Sequence, residues 1–385
     1  MADPKQETQQ PEQMPKTLRE LIARLDAEGI TDYRRYYQVR QFMDFKGREK
    51  GVPVTGTFEV TPLCNLDCKM CYVHLNADQL HGAKLLPVET WKDFARQAFD
   101  AGMMYASITG GECLTYPGFK ELYLYLGSLG VETHVLSNSV LIDEETTEFF
   151  KANPPAYIQV TLYGASEDAY ERVTGRRVFG KVVENIRRIR DAGIPISISV
   201  TPNAFMTDGL DVVKFLHEED FPFIINSGIL SPREETGRKL EDAELDVYID
   251  MLKLRRELTG NGIEPECKPD MQPVLGPSQG ESPRGVLCGA GRSSFAIDWH
   301  GRMRPCNTFP CDPVDVAALG FAESWRLTNK TACEFPLPIE CEGCSFQHVC
   351  KACVSEHSAG AEVGHASPAI CSWGKRMVAE GLIQL

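Results

Sequence analysis

Between residue 57 and about residue 230 the chain alternates short β-type runs with amphipathic helical runs, and that alternation leaves few folds open. The β runs are TFEVT (57–61), YASIT (105–109), THVLS (133–137), YIQVTLY (157–163), ISISVT (196–201) and FIINSGI (223–229). Between them, Trp91, Phe94, Ala95, Ala98 and Phe99 mark one helical face. Phe119, Leu122, Tyr123 and Leu126 mark a second, and Val182, Val183, Ile186 and Ile189 a third. Six βα units in succession imply a parallel sheet with helices outside, closed or partly closed as a barrel, in the α/β class.

The flanks read differently. Residues 1–16 are rich in Gln, Pro and Glu without periodicity, which is the composition of a disordered tail. Leu18, Leu21, Ile22 and Leu25 then sit at helical spacing, with Thr17 as N-cap and Gly29 as the stop, which suggests a short amphipathic helix packing on the outside of the main domain, within an N-terminal helical segment over 17–50. The barrel spans 51–262, and its last helix covers 241–259 with Leu245, Tyr248, Ile249, Leu252 and Leu254 apolar. Over 263–385 prolines, glycines and cysteines dominate, with brief strand signals such as SSFAID (293–298). Such an irregular segment struggles to build its own hydrophobic core, so ligation is expected to hold it together.

A net charge of −14 argues against nucleic acid or an anionic membrane as the main partner, since either calls for a basic field. No run approaches the roughly 18 apolar residues of a membrane span, and no apolar h-region opens the chain, so the expected location is the cytoplasm. Thiols stay reduced there, so the 14 cysteines read as metal ligands rather than disulfides.

Three of them, Cys64, Cys68 and Cys71, stand in TFEVTPLCNLDCKMCY (57–72), directly after the first β run. In parallel α/β barrels the functional loops lie at the C-terminal ends of strands, which is where this loop falls. Three thiolates can hold three irons of a 4Fe-4S cube and leave the fourth iron open. A zinc site is the alternative, although paired C-x2-C knuckles are usual there and only Cys68 and Cys71 have that spacing.

The run CNLDCKMC, after a strand and before Tyr72, resembles the cysteine motif of radical S-adenosylmethionine (SAM) enzymes. The order of strands and helices over 57–230 is similar to that family's partial (β/α)6, TIM-like barrel. Gly110, Gly111 and Glu112, ending the second strand, resemble its GGE motif for the methionine amino group. Glycines permit close backbone approach and a carboxylate suits an ammonium. Where the family usually has Pro after that Glu, this chain has Cys113, which is either a small packed residue or a hydrogen-atom donor or redox-active thiol. Met70 replaces a frequent aromatic residue. Ser137 and Asn138 fall where the family often has a Thr-Asn-Gly-like turn, and Thr161 lies near the end of the fourth strand. Arg172, Arg176 or Arg177 would pair with the methionine carboxylate, or simply form a solvated helix face.

Further on, Cys288, Gly301-x4-Cys306, Cys341-x2-Cys344-x5-Cys350-x2-Cys353 and Cys371 resemble the SPASM extension of peptide- and protein-modifying radical SAM enzymes. The last pair is separated by two residues, Lys351 and Ala352, where three are usual. The resemblance implies two auxiliary 4Fe-4S clusters, one on Cys341, Cys344, Cys350 and Cys371, the other on Cys288, Cys306 and Cys353. The fourth ligand of the latter is Cys311, with Cys267 and Cys333 behind it, or the site is open to substrate. A zinc ribbon over 341–353 is the structural alternative. Sulfatase-maturing relatives carry an Asp base near the second SPASM cysteine, whereas Asn307, Thr308 and Phe309 follow Cys306 here and Asp312 lies farther on.

The resemblance implies a maturase acting on a ribosomal precursor peptide, fed by a flavodoxin- or ferredoxin-type electron donor. A 5′-deoxyadenosyl radical would abstract hydrogen, and a thioether or carbon–carbon crosslink would follow. Oxidation of a protein side chain or small metabolite is the nearer alternative. A non-catalytic iron–sulfur or zinc protein is the more distant one.

Overall fold

The computed structural model describes residues 15–31, 33–73, 75, 78–226, 242–259, 286, 288–346 and 353–382. Residues 1–14 of the expected tail, Cys267 and Cys350 lie outside them. The chain opens with two helices, α1 (Leu18–Ala27) and α2 (Tyr33–Lys50). Thr17 caps α1, its side chain accepting from Glu20 N–H, and Gly29 follows at φ 66°. Leu21 and Leu25 pack with Phe42 of α2 in a small cluster of their own.

Six strands follow, β1 (Thr55–Glu59), β2 (Tyr105–Thr109), β3 (Glu132–Ser137), β4 (Tyr157–Leu162), β5 (Ile196–Val200) and β6 (Phe223–Ile225). The helices α3 (Val88–Asp100), α4 (Phe119–Ser128), α5 (Glu144–Ala152), α6 (Glu167–Thr174), α7 (Phe179–Asp191) and α8 (Gly209–Glu218) connect them, and α9 (Asp242–Thr259) comes after. All six strands pair in parallel with their sequence neighbours. The first strand sits two residues earlier than the apolar run suggests, although Val60 N–H still bonds Thr109 O at 2.9 Å.

The C-terminal third adds to the same sheet. Strand β7 (Ser294–Ile297) pairs in parallel with the free side of β1, and β8 (Arg302–Arg304) and β9 (Val314–Asp315) continue it antiparallel. Among the described residues the order is β6-β5-β4-β3-β2-β1-β7-β8-β9, so the sheet they form is not closed: it is the partial barrel expected, with β6 and β9 as its edges. Then come α10 (Val316–Leu319), α11 (Phe321–Glu334), α12 (Val354–Gly360) and α13 (Pro368–Ala379).

One face of the sheet is apolar. Phe58, Ile108, Val135, Val160, Ile198 and Phe295 point to the helices and form the main core with Trp91, Phe94, Leu122 and Ile186. Phe58 meets Trp91 and Phe295 edge-on at 6.0 and 6.1 Å. Phe99 departs from its expected helical face: it lies at the end of α3, 36% exposed, under the Arg96 guanidinium. The other face is polar. Register places Thr57 beside Ser107, Ser107 beside His134, and Thr161 beside Ser199. Thr57, Ser107, Gln159 and Thr161 are only half-buried. Parallel sheets ordinarily bury both faces under helices and read as continuous apolar runs, so this alternation marks a concave face open to polar contents.

Helix α2 takes a position that the sequence did not suggest. It runs beneath the strands' N-terminal ends, where Arg40 reaches His134 at 3.0 Å and stacks over the Tyr105 ring at 4.7 Å. Ser293 Oγ donates to Asp44 Oδ1 of the same helix at 2.5 Å. The concave face is thus closed at one end and faces the three-cysteine loop at the other.

Candidate active site

The cysteine loop leaves β1 at the C-terminal end of the sheet and is bonded on each side. Asp67 N–H and Lys69 N–H donate to Thr174 O and Val173 O, at 2.9 and 3.1 Å, satisfying carbonyls that the C-terminus of α6 would otherwise leave orphaned. Gly175 ends α6 at φ 67° in a left-handed cap against Asp67. Leu75 N–H closes the loop onto Pro62 O at 3.0 Å.

Gly110 and Gly111 press on the other side. Gly111 N–H donates to Thr61 O at 2.7 Å and Glu112 N–H to Leu63 O at 2.8 Å. A Cβ at Gly111 would stand 2.5 Å from Pro62 O and 2.6 Å from Leu63 O, so glycine is required by the loop backbone itself. Glu112 is 1% exposed, and its carboxylate accepts from Ser137 Oγ (2.9 Å), Asn138 N–H (2.7 Å) and Leu114 N–H (3.1 Å). Burial raises its pKa, and these donors oppose the rise. Glu112 therefore ties the end of β2 to the end of β3.

Asn138 extends that tie to the loop, donating to Asn65 Oδ1 at 2.7 Å and to Cys64 Sγ at 3.6 Å. Ser139, where the resembling turn has glycine, is held at φ 62°. Cys113 is fully buried; its thiol donates to Leu136 O at 3.3 Å, and burial followed by the Glu112 charge holds its pKa far above the usual value. It is a neutral thiol packed in the main core.

The three thiols sense one another. Burial pushes Cys64 up to about 12, with Leu66 N–H and Asn138 pulling it down and Cys71 adding to the rise. Burial, then Cys71 and Cys64, raise Cys68 further, opposed by a hydrogen bond from Tyr163. Leu66 N–H and Val73 N–H both point at sulfur, 3.4 Å from Cys64 and Cys71. Three close thiols, supplied with N–H donors to sulfur, fit an iron–sulfur cluster, whose thiolates such donors stabilise. Tyr72 is half-buried just beyond. Thr161 lies on the polar face, and Arg172 and Arg176 are exposed beside the α6 contact. Arg177 points away, paired with Asp168 (2.6 Å) and Glu171 (2.8 Å).

Tyr163 and Asn65 were not singled out from the sequence; the only hint was an aromatic at a strand's C-terminal end and an Asn inside the loop. Glu59 was also missed. Fully buried at the end of β1, it accepts from Asn307 Nδ2 at 3.0 Å and so joins the barrel to the residue after Cys306.

The C-terminal thiols form two neighbourhoods. Burial raises Cys311 to about 11, with Cys306 adding, and raises Cys353 to about 11, with Glu356 and then Cys288 adding. Separately, burial and then Cys344 raise Cys371. Cys333 is exposed on α11, 3.9 Å from Asn329 Oδ1. Among the described residues no three His, Cys, Asp or Glu side chains are close enough to hold a single metal ion, and no helix is long and apolar enough to cross a membrane.

Residues 58–226 match the family model of the Radical SAM superfamily. Those residues form a radical SAM domain. It is 26% identical over 360 residues to the antilisterial bacteriocin subtilosin biosynthesis protein AlbA of Bacillus subtilis (strain 168), covering 87% of this chain and 74% of AlbA. It is 24% identical over 272 residues to a PqqA peptide cyclase of Bradyrhizobium diazoefficiens, covering 67% of each. The crystal structure of Streptococcus suis SuiB bound to precursor peptide SuiA superposes with a TM-score of 0.63 at 16% identity, covering 89% of this chain and 82% of SuiB. That likeness is one of fold. The radical SAM domain and the enzymes among the relatives are consistent with an enzyme, and such a domain implies a 4Fe-4S cluster and SAM.

Proposed function

We propose that this radical SAM enzyme oxidatively modifies a ribosomally made precursor peptide, installing a thioether or carbon–carbon crosslink. The observation that carries the proposal is the half-buried polar face of an open parallel sheet that ends at the three-thiol loop. A peptide brings many backbone donors and acceptors, and Thr57, Ser107, Gln159 and Thr161 offer partners for them along that face. One relative named above, the PqqA peptide cyclase, states action on a peptide in its name.

In this reading Cys64, Cys68 and Cys71 hold the cluster. Gly110, Gly111 and Glu112 frame the methionine end of SAM, Ser137 and Asn138 fix Glu112 and the loop, and Thr161 with Arg172 or Arg176 completes the cofactor's surroundings. When bound, SAM on the reduced cluster supplies a 5′-deoxyadenosyl radical able to take hydrogen from an unactivated carbon. Helix α2 shuts the far end of the face with Arg40, and the residues lining it hold the target carbon in place. Auxiliary clusters are assigned to Cys341, Cys344, Cys350 and Cys371, and to Cys288, Cys306 and Cys353. Reducing equivalents come from a flavodoxin- or ferredoxin-type protein in the cytoplasm.

The test is anaerobic reconstitution, then SAM, dithionite and a peptide encoded beside the gene. The expected result is about twelve irons per chain, 5′-deoxyadenosine, and a peptide lighter by two hydrogens. An intact cluster that never cleaves SAM contradicts the proposal; 5′-deoxyadenosine with an unchanged peptide moves the substrate to a protein side chain or small metabolite.

A further inference from the structure

We propose that Cys311 is the fourth protein ligand of the auxiliary cluster assigned to Cys288, Cys306 and Cys353, leaving that cluster no iron open to substrate. The inference rests on the auxiliary clusters of the reading above and sharpens the nature of one.

A small apolar cluster draws on segments next to all four cysteines. It consists of Val286, Ala290, Phe309, Ala332, Phe335, Leu337 and Val354, with Cys306 and Cys311 packed directly against it. Val286 and Ala290 flank Cys288 two residues to either side, and Val354 follows Cys353. Phe309 lies between Cys306 and Cys311, and its ring meets Phe335 edge-on at 4.8 Å and 72°. The same patch is thus approached by every segment that carries one of these thiols.

Two further contacts tighten the group. Cys306 Sγ lies 3.9 Å from Ser355 Oγ, two residues past Cys353, so the second and third ligand segments touch. Between Cys306 and Cys311 the chain turns back on itself, Phe309 N–H bonding Cys306 O at 3.2 Å and Cys311 N–H bonding Phe309 O at 2.9 Å. The turn returns Cys311 to the apolar patch that Cys306 touches.

Cys333 fails the same test, although its neighbour Ala332 belongs to the patch. One residue along α11 turns a side chain by about 100°, and Cys333 Sγ lies 3.9 Å from Asn329 Oδ1, whereas Cys306 and Cys311 are the thiols packed against the patch. An iron–sulfur cube ligated by four thiolates is coordinatively closed, whereas three thiolates leave an iron free. With Cys311 bound, substrate is held by the barrel face and not by this cluster.

The full-length protein, reconstituted anaerobically and saturated with SAM to block the first cluster, is titrated with 13C-cyanide. Wild type, Cys311→Ala and Cys333→Ala are followed by hyperfine EPR, iron and sulfide content, and circular dichroism as a folding control. Wild type and Cys333→Ala are expected to show no 13C coupling. Cys311→Ala is expected either to gain a 13C coupling or to lose about four irons per chain. Cyanide binding to SAM-saturated wild type, or a Cys311→Ala protein indistinguishable from wild type, overturns the inference. Wild type with iron for a single cluster overturns it together with the auxiliary-cluster reading, while three intact clusters without SAM cleavage sink only the proposed activity.

Discussion

Around Cys64 the loop is bonded to three elements at once, by its backbone to the C-terminus of α6 and to the end of β2 at Gly111 and Glu112, and by the side chains of Cys64 and Asn65 to Asn138 at the end of β3. Around Cys341 and Cys344 the ties among the described residues are mostly local to the segment. Ile339 N–H bonds Gly364 O at 3.0 Å, Glu340 pairs with His365 at 3.0 Å, and Ser367 N–H bonds His357 Nδ1 at 3.0 Å. Both sides of that segment are well anchored, α11 by Phe321 and Trp325 and α13 by Trp373 and Met377, all in the main core. The first thiol site is therefore organised by the barrel before any cluster binds, while the described residues 336–346 and 353–366 would owe more of their shape to the auxiliary cluster proposed there.

The largest expected difference is in chemistry. Cys64→Ala should reduce 5′-deoxyadenosine formation to the uncatalysed background, whereas Cys344→Ala should keep it within about tenfold and lose the modified peptide. Equal loss in both variants would erase the distinction.

Next in size is Gly111→Ala. Its Cβ meets backbone oxygens that cannot swing away, so the variant should lose about 1–3 kcal/mol and load less iron at the first site. Wild-type melting and iron content would show that the loop yields.

A smaller effect tests the closed end of the barrel. His134 is 1% exposed, and desolvation first, then Arg40, lowers its pKa against the pull of Glu132. A base whose folded pKa is depressed contributes stability that is present above its unfolded value near 6.5 and is lost as pH falls, because the unfolded chain takes the proton. His134→Gln should flatten the fall in stability between pH 7.5 and 5.5, by at most about 1.4 kcal/mol per unit. Parallel pH curves for the two proteins would contradict this.

The smallest is Ser139→Gly. Ser139 sits at φ 62°, and among the described residues its buried Oγ has no hydrogen-bond partner. Glycine should raise stability by about 1 kcal/mol, seen as a slightly higher melting temperature.

Much of this was legible in the chain. Alternating runs locate the first five strands to within about two residues because each carries its apolar residues on the helix side; the sixth ends at Ile225, short of the 223–229 run, whose residues 227–229 lie outside the described ones, and the cysteines and Gly110–Glu112 follow strand ends where such loops work. What escaped depends on elements distant in sequence. Val135 and Ile297 look alike as apolar strand residues, yet only the fold shows that Ile297 belongs to a strand extending the sheet beyond β1. Arg177 reads as well as Arg172 for an anion, but the Asp168 and Glu171 carboxylates claim it. Tyr163, Asn65 and Glu59 have no motif at all; each matters through a partner on another element.

Hydrogen exchange of the protein with and without its iron tests the contrast most directly. The account predicts that amides of Gly111, Glu112, Asn138 and the β1–β3 strands stay protected after anaerobic chelation, while those of residues 339–346 and 353–366 lose protection. Equal loss in both regions, or a C-terminal segment that stays protected without iron, would contradict it.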